Sequence, residues 1–333
     1  MLEQLTRALL YEGYALFPYK RTATKNVKPV PFGVVYPRDY NAHHAEAQSY
    51  LQTECLVKRN DDLEIEVKAR FLQLRIKNLL ERKESASAPE ASRLHEDHFR
   101  AVESLQAGGE MYVSGWEAVE REVASGRLPI SKLFTEGIVC RIDFPKAHDS
   151  QFLYNAQSQI TGKQTNLLSG VTGAVMIFAR PVEGLKDFFR VTVKIINTTG
   201  IRNPDTVGRD DIFKQSFLST HTILQARGGE FISVFEPDEQ WKAAVAQCQN
   251  INTWPVLVDR DNSTMLSSPI ILYDHPQMAP QSTGDLFDST EIEEALLLHV
   301  AALSDEEKRR LPMPMKNFAP CSKKPARSRR KRS

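Results

Sequence analysis

Asp274 and His275 follow directly on the apolar run Ile270, Ile271, Leu272 and Tyr273, and Asp285, Asp288, Glu291, Glu293 and Glu294 come soon after. A carboxylate and an imidazole at a strand end offer the oxygen and nitrogen donors that a hard or borderline divalent cation takes. With His221 added, the set His221, Asp274, His275 and Asp285 forms a candidate metal site, and metal-dependent hydrolysis is the chemistry it would serve. The spacing matches no fixed metal motif. Capping explains part of the acidity more simply: Thr290 and Glu293 fit a capping box, and Asp288 and the glutamates suit the first turn of a helix. Asp274, His275 and Asp285 are left over. The favoured reading makes them part of a strand–loop–helix docking element with Tyr273, Pro276 and Phe287. No catalytic residue and no resident cofactor is assigned, and a divalent metal belongs to the alternative.

Other constellations carry less. Ser219, Thr220 and His221 set hydroxyls beside an imidazole, and Ser219 and His221 share a face if the segment is a strand. The plainer reading is a histidine hydrogen-bonded to backbone at a strand start. Gly162-Lys163 lacks the upstream glycine and the following hydroxyl of a P-loop, so Thr161–Gly173 reads as a surface loop. G-x-S-x-G and H-E-x-x-H do not occur. Tyr19, Lys20, Arg21, Lys25 and Lys28 make a basic–aromatic cluster that serves as a second docking patch, and His43-His44 has no carboxylate or cysteine company.

The positioning elements follow from hydrophobic period. Leu63, Ile65, Val67, Ala69 and Phe71 alternate as in a strand, then the phase slips to Leu72, Leu74 and Ile76, as at a β-bulge; a helix is the competing reading, because Lys, Arg, Leu and Gln are good helix formers. GIVCRIDF, GAVMIFA and FFRVTVKIINTT are dense in β-branched and aromatic residues and read as strands; MYVSGWEAVEREV resumes a strand pattern, but its C-terminal half fits a helix equally well. HTILQARGGEFISVFEP predicts a hairpin turning at Gly228–Gly229. Helices are expected at the N-terminus (Leu2, Leu5, Leu9), near Asp210–Asp211, over EQWKAAVAQCQ, and from Thr290 along Ile292, Leu296 and Leu303. The class is β-rich α+β: an antiparallel or mixed sheet or sandwich with flanking helices.

The chain has 333 residues and a net charge of +1. Its last eleven residues hold seven basic side chains; without them 36 basic groups face 42 acidic ones, a net of −6. We expect one folded unit over residues 1–311 with a surface insertion near 80–93, then a disordered, Pro-containing and basic tail over 312–333. The tail offers a route to nucleic acid, which makes nucleic-acid binding another alternative. The apolar runs are too short to span a membrane. Cys55, Cys140, Cys248 and Cys321 form no C-x-x-C pair, which fits a reducing cytoplasm.

Three segments, YEGYALFPYKRTATKNVKPVPFGVVYP, FLSTHTILQARGGEFISVFEP and SSPIILYDHPQMAPQSTGDLFDSTEIEEALLLHVAALSDEEK, resemble a group of uncharacterised bacterial proteins associated with nickel–iron hydrogenase and hydrogenase-maturation gene clusters. The resemblance covers most of residues 1–310. It implies a process shared with the hydrogenase, says nothing about mechanism and transfers no catalytic residue. The favoured reading is a cytoplasmic, non-enzymatic accessory protein that helps assemble or stabilise a redox metalloenzyme, with a hydrogenase subunit or maturation factor as its partner.

Overall fold

A computed structural model of the chain describes residues 2–15, 32–83 and 95–276. The chain divides into two units, 1–277 and 278–333, and the described residues all belong to the first. The helix from Thr290, the boundary at residue 311, the tail and the Tyr19–Lys28 cluster lie outside the described residues, as does most of the insertion, whose first residues instead complete a strand.

One strand organises the fold. β1 (Tyr50–Arg82) is 33 residues long and changes partner along its length. Upstream lie helices α1 (Leu2–Ala15) and α2 (Arg38–Asn41). After β1 come β2 (Phe99–Val102), β3 (Ser104–Ala107), β4 (Glu110–Val113), β5 (Gly115–Pro129), β6 (Ile138–Phe144) and β7 (Ala147–Tyr154). Then follow β8 (Ile160–Leu168), β9 (Val171–Pro181), β10 (Phe188–Asn197), α3 (Arg209–Ile212), β11 (Leu218–Phe231), α4 (Glu239–Val245), β12 (Trp254–Leu257) and β13 (Thr264–Ser268). The main sheet runs β12-β13-β11-β1-β10-β9-β6, with β2, β5 and β8 also paired to β1 and β7 paired to β8. Each pairing among the described strands is antiparallel. The β-rich, antiparallel expectation therefore holds. The flanking helices are smaller than expected: α1, at 14 residues, is the longest of those described.

The alternation in β1 builds the core. Leu63, Ile65, Val67, Ala69 and Phe71 all enter the central cluster with residues of β9, β10 and β11, whereas Leu72 and Leu74 enter a second cluster with Leu10, Ile212 and Phe213. Alternate residues of a strand point to opposite faces, so the slip marks a change in which face is covered. It is not a bulge in β1, whose pairing with β5 runs unbroken from Lys68 to Lys77. The irregularity belongs to β11, where Leu218 to His221 oppose Leu72 to Arg70 and Ser219 takes a φ of 49°.

Two further expectations are corrected. Gly228–Gly229 does not turn a hairpin: β11 continues through it, and five steps of β1 from Arg59 to Glu64 face two of β11. Gly228 has a φ of 74°, and a Cβ there would run into the Asp62 carbonyl, so glycine accommodates the bulging neighbour. The Gly162-Lys163 segment is strand β8, held between β1 and β7, not a loop.

Candidate docking site

The site forms where the sheet ends at β12. The apolar run Ile270–Tyr273 does not form the strand expected before Asp274; the strands are β12 and β13, and the chain leaves the sheet at Pro269, which has no N–H to continue the ladder. Ile271 is 64% and Tyr273 73% exposed. The returning segment meets the outer edge of β12. Val258 N–H donates to the Thr264 carbonyl at 3.0 Å, so by strand alternation Leu257 and Pro255 turn their main-chain groups outward. Asp274 Oδ1 accepts from the Leu257 N–H at 2.7 Å, and His275 N–H donates to the Leu257 carbonyl at 2.7 Å. Pro255 has no N–H to satisfy. Asp274 and His275 therefore close the edge of the sheet, a position where exposed main-chain groups invite unwanted pairing.

Asp274 is held from its other side too. Ser233 Oγ–H donates to Oδ2 at 2.5 Å, and the same hydroxyl accepts the Glu236 N–H at 2.8 Å. These bonds tie the segment after β13 to the segment after β11 and bring their aromatics together. The Phe235 and Tyr273 rings meet edge to face with centroids 5.3 Å apart. Beside them lies a groove of about 180 Å³, lined by Val234, Phe235, Trp254, Val256, Ile271 and Leu272 among others, with no charged side chain among the described residues of its wall. Phe235 is 51% and Trp254 44% exposed.

His221 lies elsewhere. From the β11–β13 and β13–β12 registers it sits three residues along and two strands across from Leu257, about 14 Å by strand geometry. It is fully buried, and its Nδ1 lies 3.1 Å from the Ser219 carbonyl, the backbone-bonded histidine of the plainer reading. Burial lowers its pKa to about 4, opposed by that hydrogen bond and assisted by the Arg70 charge. Arg70, its cross-strand neighbour, is held by Glu3 at 3.0 Å, Glu120 at 3.5 Å and Glu122 at 3.3 Å, and donates to Thr6 Oγ1 at 3.0 Å. This network anchors α1 over β11. The Ser219 hydroxyl is sealed, and the ring nitrogen near Ser219 faces its carbonyl instead of the hydroxyl, so the pair is not set up for nucleophilic attack.

The expected convergence of His221 with Asp274 and His275 is thus corrected, while Asp285 and Phe287 lie outside the described residues. Among the described residues no group of three or more His, Cys, Asp or Glu side chains is arranged to hold a metal. Tyr273, Asp274, His275 and Pro276 are consecutive in the chain and end the segment that returns along β12. The sequence does not single out Phe235 and Trp254 as their companions, although each is an aromatic close to a proline: Phe235 in the bend before Pro237, Trp254 at the start of β12 before Pro255. His44 stacks on Tyr40 with centroids 4.0 Å apart and joins no ligand set. Among the described residues no helix is long and apolar enough to cross a membrane. No family model, no curated protein and no solved structure matches this chain.

Proposed function

We propose that this chain is a cytoplasmic, non-enzymatic accessory protein that docks a protein partner through the groove beside β12, the partner being a subunit or maturation factor of a nickel–iron hydrogenase. The supporting observation is the Phe235, Trp254, Ile271 and Tyr273 surface, large apolar side chains that stay exposed on a backbone pinned by Asp274 and His275. Aromatic anchors on a preorganised support are what protein interfaces concentrate their binding energy on. The partner's identity comes from the sequence resemblance, and two of its three segments supply this surface: the one ending at Pro237 carries Phe235, and the one beginning at Ser267 carries Ile271 and Tyr273. A reducing compartment fits the free thiols of Cys55, Cys140 and Cys248.

Affinity purification of the tagged full chain from cells expressing the hydrogenase tests the proposal. The expected result is a hydrogenase subunit or maturation factor retained by the wild-type chain and lost with Ile271→Glu. Recovery of neither protein under those conditions overturns it.

A further inference from the structure

We infer that the groove beside β12 takes an amphipathic α-helix of the partner, one that presents aliphatic side chains three and four residues apart. The inference rests on the docking reading and names the chemistry of the occupant.

The edge of β12 cannot be extended by an added strand. Strand addition needs a row of free donors and acceptors, but Pro255 has no N–H and both main-chain groups of Leu257 are taken by Asp274 and His275. Recognition must therefore run through side chains.

The wall decides their type. Its residues are apolar or uncharged, and the groove of about 180 Å³ lies below the roughly 300–1,000 Å³ of pockets that enclose a small molecule. It suits apolar anchors inserted from a larger body.

The shape of that body follows from the helix this face already holds. Val256 and Leu272 line the groove and also belong to the cluster beneath α1, which they share with Ile223, Val258 and Leu266. On that cluster α1 sets down Leu2, Leu5 and Leu9, residues three and four apart along one face of the helix. Among the described residues nothing covers the groove, which continues α1's own support. A second helix with the same aliphatic spacing can settle beside α1 on this surface, in the helix-in-groove mode of recognition.

The test places the photo-crosslinking residue p-benzoylphenylalanine at position 235 of the full chain. The chain is irradiated with the partner recovered by affinity purification, and the attachment sites are mapped by mass spectrometry. Attachment to aliphatic positions of one amphipathic helix, lost on Ile271→Glu, is the expected result. Attachment to an extended or charged segment, to another segment of this chain such as residues 290–303, or to a second copy of this chain overturns the inference of a partner helix. So does an absence of crosslinks from position 235 while the partner still co-purifies; in that case the docking reading survives. Failure to recover the hydrogenase protein at all removes the docking reading and this inference with it.

Discussion

Asp274→Ala should release the edge closure of β12 without unfolding the sheet. The substitution removes the acceptor of the Leu257 N–H at 2.7 Å and of the Ser233 hydroxyl at 2.5 Å. Hydrogen bonds to a charged group contribute about 1.5–3 kcal/mol each, and a buried donor left without a partner costs about 1–3 kcal/mol. Asp274 is half-buried, which places its own bonds at the low end, while Leu257 is only 3% exposed. Local opening of residues 269–276 should therefore become easier by about 2–4 kcal/mol. At a factor of ten per 1.4 kcal/mol, protection of the Leu257 amide falls by roughly 30- to 1,000-fold. Asp274→Asn keeps an oxygen for Leu257 and should lose less than half as much. The assay is native-state hydrogen exchange read at Leu257, with Leu224 in the adjoining core as the internal reference. Leu257 protection within threefold of wild type in Asp274→Ala would refute the edge-closure account.

Other consequences follow from the same contacts. Gly33→Ala should destabilise the chain by about 2–4 kcal/mol in urea unfolding, through crowding and backbone strain. Its φ is 55°, and a Cβ would lie 2.6 Å from Pro269 Cβ and 3.0 Å from Thr220 N. His221 gives a pH dependence with a definite sign. Its folded pKa of about 4 lies below the ordinary 6.5, so its contribution is complete above pH 6.5 and is lost as pH falls from 6.5 towards 4. The loss attributable to it approaches about 3 kcal/mol, and His221→Gln should flatten this part of the stability–pH curve relative to wild type. Arg70→Met removes the anchor of Glu3 and Thr6, so amide protection across α1 should fall while that of β10 is unchanged, as hydrogen exchange would show.

The sequence made β1, β5, β6, β9, β10 and β11 legible, while β8 read as a loop and β12 and β13 carried no recognised strand signal. Period-two alternation reports the covered face directly, as Leu63 to Phe71 show by all facing the central cluster. Less legible was anything depending on what lay opposite. The slip at Phe71–Leu72 looks the same whether a strand bulges or its second face acquires a cover, and only the unbroken β5 register tells the two apart. Gly228–Gly229 carries a turn composition, yet the conformational freedom serves a bulge of the neighbouring strand at Asp62. Ile270–Tyr273 has strand composition, but Pro269 ends the ladder just before it, and its apolar residues cover the α1 cluster or stay exposed. The candidate site was half legible. The sequence set Tyr273, Asp274, His275 and Pro276 together, because they are neighbours in the chain. Phe235 and Trp254 join them only through the Ser233–Asp274 bond and the return of the chain along β12, contacts with no local signature. His221 was grouped with Asp274 by side-chain type alone, and the strand registers separate them.

The groove beside β12 is proposed as the partner surface. Its most direct test is the dissociation constant of the co-purified partner for three chains: wild type, Ile271→Glu in the groove, and Val139→Glu on β6. Ile271 is 64% and Val139 60% exposed, so both variants should fold, which circular dichroism checks. Binding should be at least about 30-fold weaker for Ile271→Glu, the effect of losing a residue worth about 2 kcal/mol or more, and unchanged for Val139→Glu. Unchanged binding by Ile271→Glu, or an equal loss in both variants, would contradict it.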